Sequence, residues 1–500
     1  MSTAGPLVVV GDALLDCDLD GQVSRLSPDA PVPVLEDAAP AWRPGGAALA
    51  ALLAAAAGEA PVVLVAPLGD DEASATVRAL LEPHVTVVSL PLTGSLAEKT
   101  RFRVGGRTLL RTDQGGGSAG PAGAEATEAI AAAGAVLVSD YGRGITADER
   151  IRAVLSRLAG RIPLVWDPHP KGATPVPHTR LVTPNYAEAV AAAGLPAAAG
   201  QQLLRSATAA AGQLSRSWEA NAVAVTLGEH GAVLVQGDAA PLVVPAPRLT
   251  VTDPCGAGDR FAAAAAAALR HGALTSEAVT AATSAASSFL AAGGARLYSS
   301  PARTAAVTLP ARPGAGQPGT TVGRGPHQDA SELAGRIRAA GGTVVATGGC
   351  FDLLHAGHVS LLQAARSLGD CLIVCLNSDD SVRRLKGEGR PLNREADRVD
   401  VLAALGCVDA VTVFGEDTPC AVLERIRPDI WVKGGDYDGR DLPEAALLQD
   451  WGAVAVTVPY LSGRSTTRLH QASVDRPGVD RAGVDRASSD GARLDGADRS

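Results

Sequence analysis

From Leu7 to Val235 the chain alternates short aliphatic runs with alanine-rich stretches of helical length. The runs Leu7–Val10, Val62–Ala66, Val136–Ser139, Leu164–Trp166, Leu181–Thr183, Ala222–Thr226 and Ala232–Val235 read as strands. The stretches Ala47–Ala57, Ala124–Ala133, Asp148–Leu158 and Gln201–Ser217 read as helices between them. Continuous apolar runs separated by helices predict a mainly parallel sheet covered by helices. A polar segment, Lys99–Asp113, interrupts this rhythm and reads as an extra hairpin, a lid over the sheet edge.

A second alternation starts near Ser331. Its strands are Thr343–Thr347, Cys371–Asn377, Ala410–Val413, Ile430–Lys433 and Ala453–Val458, enough for a small doubly wound α/β domain. Between the two lies a segment rich in Pro, Gly, Thr and Arg with no apolar period, the pattern of a flexible linker. The end of the chain repeats Val-Asp-Arg at Val474, Val479 and Val484 and offers no apolar face, so it is expected to be disordered. The division is therefore 1–302, 303–330 (linker), 331–471 and 472–500 (tail).

Five hundred residues suit two or three domains. A hydrophobic content of 46% with 19% charged residues gives each of them ample core. The net charge of -9 argues against a protein that coats nucleic acid. The apolar stretch 47–66 is broken by Gly58, Glu59 and Pro61, so it reads as helix then strand and not as a membrane span. No basic leader precedes the first strand, and seven cysteines lack zinc spacing. A cytoplasmic protein with reduced thiols and no protein-built metal site is expected.

Two loops carry chemistry. In Asp253-Pro-Cys-Gly-Ala-Gly-Asp259 a strand-like Leu249–Thr252 leads in and a helix over Arg260–Arg270 leads out. Gly256, Ala257 and Gly258 would aim backbone N–H groups at one point, a nest for a phosphate whose charge grows during transfer. Asp259 at the helix start can take a proton from an attacking hydroxyl. Around it, Gly45 and Gly46 open a helix where a sugar can come close. Asn185 and Glu188 lie beyond a strand, where metal and phosphate ligands sit. Thr226, Gly228 and Gly231 follow another strand and can line a nucleotide.

The second loop is Thr347-Gly-Gly-Cys-Phe-Asp-Leu-Leu-His-Ala-Gly-His358, between a strand and a helix over Val359–Leu368. Two imidazoles at a helix N-terminus can neutralise charge on a crowded phosphorus and on a leaving group, and Gly357 lets a nucleotide approach. Arg384–Gly387, Arg390–Asn393 and Arg398 form a basic segment fit for phosphates.

The first set of motifs resembles the ribokinase-like (PfkB) carbohydrate kinases. Gly11-Asp12-Ala-Leu-Leu-Asp16, the Ser-Pro-Asp-Ala-Pro-Val-Pro run ending at Pro33, Arg43-Pro-Gly-Gly-Ala-Ala48 and Ser139-Asp-Tyr-Gly-Arg-Gly144 narrow the resemblance. They look like the bifunctional heptose 7-phosphate kinase/heptose 1-phosphate adenylyltransferases. The His-x-Gly-His run resembles the nucleotidyltransferases of the cytidylyltransferase-like fold. The resemblance implies a ribokinase-like α/β domain with a small β lid, then a Rossmann-like nucleotidyltransferase α/β domain. It implies phosphorylation of D-glycero-β-D-manno-heptose 7-phosphate at O1 and adenylyl transfer from ATP to heptose 1-phosphate, releasing pyrophosphate.

On that resemblance Asp259 is the kinase base, and Gly256, Ala257 and Gly258 form the anion hole. Asp12, Asp16, Gly45, Gly46, Lys99 and Arg101 lie toward the sugar phosphate. Asn185 and Glu188 serve Mg²⁺ and phosphate, and Thr226, Gly228 and Gly231 lie near ATP. In the second domain His355, His358 and Lys386 are the catalytic candidates and Arg390 a substrate contact. Gly349, Phe351, Asp352, Gly357, Lys433, Gly434, Asp436, Ser465, Thr466 and Thr467 are the nucleotide and phosphate candidates. ATP is a co-substrate of both steps. The implied partners are sugar phosphates, ATP and a second copy of the chain docked through the lid, with neither nucleic acid nor membrane. Four positions depart from the family pattern: Leu49 replaces an asparagine that bonds sugar hydroxyls, Cys255 and Arg260 replace threonines, and Gly348 replaces an asparagine. Leu49 leaves open that the first domain is an impaired kinase serving dimerisation, or that the substrate is another sugar phosphate.

Overall fold

A computed structural model describes residues 5–59, 61–200, 202–251, 253–303, 307, 329–435 and 444–459. Its first unit is a sheet whose strands run, from the inner edge outward, Leu242–Val244, Ala232–Val235, Val223–Thr226, Leu181–Val182, Leu164–Asp167, Ala135–Ser139, Leu7–Gly11, Val62–Pro67 and Thr86–Leu90. All neighbours are parallel except the two pairs made by Ala232–Val235. Apart from the outer strand Thr86–Leu90, the strands are almost wholly buried on both faces, which is why they read as continuous aliphatic runs. The helix Ala47–Ala56 is buried through Ala54, and its alanines let it lie flat against the sheet and the helix Ala257–Arg270.

The lid is larger than the expected hairpin. It is a four-stranded sheet in the order Glu36–Gly46, Ala13–Gln22, Glu98–Val104, Arg107–Gln114. Strand Ala13–Gln22 carries Asp16, Asp18 and Asp20 on one face by its two-residue period. Register sets Asp16 opposite Arg43 and Lys99, Asp18 opposite Arg101, and Asp20 opposite Arg103. Opposite charges therefore alternate across three strands.

The second unit has the strand order Ala410–Phe414, Cys371–Asn377, Val344–Gly349, Ile430–Gly434, Val454–Val458, all parallel. One register pair, Leu242 with Thr457, joins the two units into a fourteen-stranded sheet among the described residues. The expected strand at 249–252 does not form: residues 245–251 leave the sheet, with Pro245 and Pro247 lacking the N–H a strand would donate. The helix beyond it starts at Ala257, three residues earlier than expected, so Asp259 lies inside its first turn. Most of the linker and all of the tail lie outside the described residues. Among the described residues no helix is long and apolar enough to cross a membrane.

Candidate active sites

Gly256 caps the helix Ala257–Arg270 with φ at 81°, a left-handed turn that brings the Ala257 and Gly258 N–H groups to the helix end. Asp259, buried, accepts a hydrogen bond from the Tyr141 hydroxyl at 2.9 Å. Burial pushes its carboxyl up to about 7; the Tyr141 bond pulls it down, Asp16 adds a smaller push and Lys99 a smaller pull. A carboxylate with that affinity is matched to taking a proton near neutral pH.

The sugar-side candidates converge on the same place. Asp12 is buried; its Oδ2 accepts from the backbone N–H groups of Tyr141 (3.0 Å) and Arg143 (2.9 Å). Its Oδ1 is buried with no hydrogen-bond partner among the described residues. A sugar hydroxyl would satisfy it. Burial, more than its hydrogen bonds, raises the Asp12 carboxyl. Gly46 has φ at 59°, and a Cβ there would lie 2.6 Å from the Asp12 carbonyl oxygen. Arg101 donates to Asp16 at 2.7 Å. Arg43, fully buried, donates to Asp18, and Arg103 donates to Asp18 at 3.2 Å and to Asp253 at 2.7 Å. Cys255 accepts weak contacts from Arg43 and Arg101 at 3.9 and 3.8 Å.

Leu49 is part of a buried apolar platform. It is 1% exposed and packs with Leu53, Phe289 and Ala295 beneath the anion loop, 3.0 Å from where a Cβ of Gly256 would lie. Arg260 donates to the Leu53 carbonyl at 3.2 Å. Both departures thus support the loop from below.

A cleft of about 570 Å³ joins Thr226, Gly228 and Gly231 to Ala257 and Gly258, and is walled by Phe261, Ala286 and Leu290. Asn185 and Glu188 form a capping box: the Asn185 Oδ1 accepts from the Glu188 N–H at 3.0 Å, and the Glu188 Oε2 accepts from the Asn185 N–H at 2.9 Å. Those two oxygens therefore hold the helix Tyr186–Ala192, a correction to their reading as ligands alone. Asp167, which carried no sequence signal, sits between this motif and the base. Burial and then the charges of Asp259 and Glu188 raise its carboxyl well above the ordinary range.

In the second unit His355 caps the helix Ala356–Ser367, its Nδ1 accepting the Gly357 N–H at 3.1 Å. The proton of a neutral His355 is thereby placed on Nε2. The His355 and His358 rings stack, with centroids 3.9 Å apart and planes at 25°. Phe351 is not open to a nucleotide: it is buried, backs Gly349 and lies 5.2 Å from the His358 ring. It takes φ at 43°, a left-handed strain for a bulky residue. Burial first, then His355 and Lys386, push His358 down to about 4. His358 is therefore neutral in the free enzyme and offers an N–H, not a charge.

Asp352 is also spoken for. Its carboxylate accepts from Arg390 (2.7 Å) and from the backbone N–H groups of Leu392 (2.7 Å) and Asn393 (3.2 Å). It pins the basic loop instead of touching phosphate. Arg398, read as part of a phosphate-binding surface, is buried and donates to the carbonyls of Asn393, Cys350 and Asn377 and to Asp379. Lys433 pairs with Glu444 at 3.5 Å, next to Gly434. Burial raises the Cys350 thiol, and Lys386, Arg398 and Lys433 all pull it down, so the cations converge on the loop before the histidines. Gly348 is coupled to Trp431: a Cβ there would lie 2.6 Å from the indole. Asp436, Ser465, Thr466 and Thr467 lie outside the described residues.

The pfkB family carbohydrate kinase model matches residues 6–303, and the cytidylyltransferase-like model matches residues 346–454. The Bifunctional protein HldE of Streptomyces coelicolor is 56% identical over 464 residues, covering 93% of this chain and 96% of that protein. The Bifunctional protein HldE of Azorhizobium caulinodans is 38% identical over 481 residues, covering 93% and 97%. Among solved structures, Arabidopsis thaliana ribokinase complexed with ribose and ATP aligns with 22% identity and a TM-score of 0.46, covering 59% of this chain and 95% of that one.

Proposed function

Since the chain belongs to the family of bifunctional HldE proteins, we propose that its two halves act on heptose phosphates in the residue roles that follow. It is a carbohydrate kinase and a nucleotidyltransferase, with ATP as substrate. The first half phosphorylates D-glycero-β-D-manno-heptose 7-phosphate at O1. The second joins heptose 1-phosphate to AMP from ATP, giving ADP-heptose and pyrophosphate. The observation that carries this reading is the run from nucleotide cleft to anion loop to Asp259, closed on the sugar side by the unsatisfied Asp12 Oδ1.

In the kinase step the sugar O1 hydroxyl gives its proton to Asp259 as its oxygen bonds the γ-phosphorus of ATP and ADP leaves. The N–H groups at Gly256–Gly258 take the charge growing on the phosphoryl oxygens. Asp12 and Arg101 hold the sugar phosphate. Mg²⁺ fits here, because burial and the charges of Asp259 and Glu188 keep Asp167 from ionising, a penalty a cation would relieve, and one or two carboxylates plus substrate phosphates are its usual ligands. It would supply charge neutralisation to the triphosphate.

In the adenylyl step a sugar phosphate oxygen bonds the α-phosphorus and pyrophosphate departs. The Nε2–H of His355, the neutral His358 and Lys386 would donate to the phosphate oxygens, with Arg390 placing the sugar phosphate. No covalent intermediate is needed.

The pair of copies would dock through the lid. Strand Arg107–Gln114 is its outer edge and exposes Leu109 and Leu110. Light scattering of Leu110→Lys tests this: an unchanged mass removes the lid dimer. A cytoplasmic location fits the substrates, and all seven cysteines are unpaired.

³¹P NMR of the full chain with Mg–ATP and each heptose phosphate tests the main reading. We expect 1,7-bisphosphate from the 7-phosphate, lost in Asp259→Asn, and ADP-heptose from the 1-phosphate, lost in His358→Ala. No bisphosphate from the unaltered chain sinks the kinase assignment, and a better yield with CTP sinks the adenylyl one.

A further inference from the structure

Tyr141 lies just past the strand Ala135–Ser139, where four parts of the kinase site meet. Its hydroxyl donates to Asp259 Oδ1 at 2.9 Å. Its backbone N–H donates to Asp12 Oδ2 at 3.0 Å. Its ring lies against Gly46, where a Cβ would come within 3.2 Å of Cδ2. On its other side the Lys99 ammonium of the lid is 5.7 Å from the ring centroid, and the His169 ring is 6.1 Å away. One side chain thus touches the base, the glycine beside the sugar, and the lid, while its backbone holds the sugar-side carboxylate.

A phenylalanine would fill the same space. What the hydroxyl adds is the single bond to Asp259, across 118 residues of chain. A carboxylate in the first turn of a helix can rotate about its terminal bond unless one oxygen is tied.

We propose that Tyr141 is a positioning residue of the kinase: it ties Oδ1 of Asp259 so that Oδ2 faces the sugar hydroxyl, and it locks this base to Asp12 through its own backbone. The inference rests on Asp259 being the kinase base. In the step it serves, the sugar hydroxyl proton passes to Oδ2, the sugar oxygen bonds the γ-phosphorus, and the bond to the ADP oxygen breaks. Tyr141 keeps its own proton throughout. Burial and then the charge of Asp259 hold its phenol well above the usual range, so it acts only as a donor.

The bond also sets the working pH. Donation to the carboxylate favours its charged form, so removing the donor raises the pH needed to ionise Asp259. The other groups acting on that carboxyl are Asp16 of strand Ala13–Gln22 and Lys99 of strand Glu98–Val104, and Asp259 itself raises the carboxyl of Asp167 in strand Leu164–Asp167. Asp140 and Glu188 act on Asp167 in turn. None of these is altered by Tyr141→Phe.

The test is kinase kcat/KM against pH for the full chain, with the adenylyltransferase rate of the same sample as the measure of enzyme concentration. In Tyr141→Phe the acid limb should move up by about one pH unit, which leaves about a fivefold loss at pH 7 that recovers by about pH 9. With 3-fluorotyrosine at position 141, a stronger donor of the same shape, the limb should move down; this arm stands even where the phenylalanine variant fails to fold. An unmoved limb in either variant overturns the inference, because a role in packing alone lowers the rate equally at every pH. The underlying reading fails separately: in that case Asp259→Asn keeps its kinase activity.

Discussion

The role proposed for Asp259 comes at the expense of the fold. Its carboxyl ionises at about 7 in the folded chain against 3.8 for the ordinary group. The folded state therefore holds a proton more tightly than the unfolded one, and stability falls as pH rises between those values. Below 3.8 both states are protonated and the penalty is absent. Above about 7 it is complete, and three pH units at 1.36 kcal/mol each give about 4 kcal/mol as a ceiling. Asp259→Asn removes the charge and keeps an oxygen to accept the Tyr141 bond. The variant should be more stable at pH 8 by about 2–4 kcal/mol, with well over half of the gain arising between pH 5 and pH 8. In a domain of this size that raises Tm by about 6 °C at most. Urea unfolding at the two pH values reads it out, and the transition of the second domain serves as internal reference. A variant that is no more stable at pH 8 than at pH 5, relative to the parent, would refute the argument that burial holds this base near neutrality.

Other outcomes follow from the second unit. His358 should remain neutral from pH 5 to 8, since burial, His355 and Lys386 lower its pKa to about 4; an imidazole resonance of His358 titrating between pH 6 and 7 in the free enzyme contradicts this. Gly348→Asn should cost about 1–3 kcal/mol, as the new side chain meets Trp431, and Trp431→Leu in the same chain should recover part of it. Asp352→Asn should lower the stability of the second unit at pH 7 by about 2 kcal/mol. Burial opposes the charge of Asp352, but the bonds from Arg390, Asn393 and Leu392 outweigh it and hold its pKa low. Its contribution is therefore present above 3.8 and fades as pH falls through the folded value, so a destabilisation that grows on acidification rules the clamp out.

The parallel strands were legible because burial on both faces leaves only aliphatic residues in them. The lid was half legible. Ala13–Gln22 alternates Leu15, Cys17 and Leu19 with Asp16, Asp18 and Asp20, a two-residue period, but three carboxylates in one strand are stable only with the arginines that distant segments supply. Glu36–Gly46 hides behind Pro40 and Pro44, which the lid tolerates because that strand forms an edge. Asn185 and Glu188, read as ligands, form the Asn-x-x-Glu signature of a helix start, which the structure shows as a capping box. Asp167 was beyond reach, and the contacts of Tyr141 and Arg398, though both lie in motifs the sequence displays, were too, because their partners come from distant segments. Leu49, read from its family role alone, also packs into the platform under the loop, a contact that only the tertiary fold reveals.

Arg103 belongs to the lid, and Asp253 begins the loop proposed to cradle the transferred phosphoryl group. Their bond is half-shielded from solvent, and Arg103 itself is nearly inaccessible. Any displacement of the lid would expose that pair and remove a strut from the loop together. Lid and loop are thus mechanically one body, and a substitution on either side of that pair should be felt on the other.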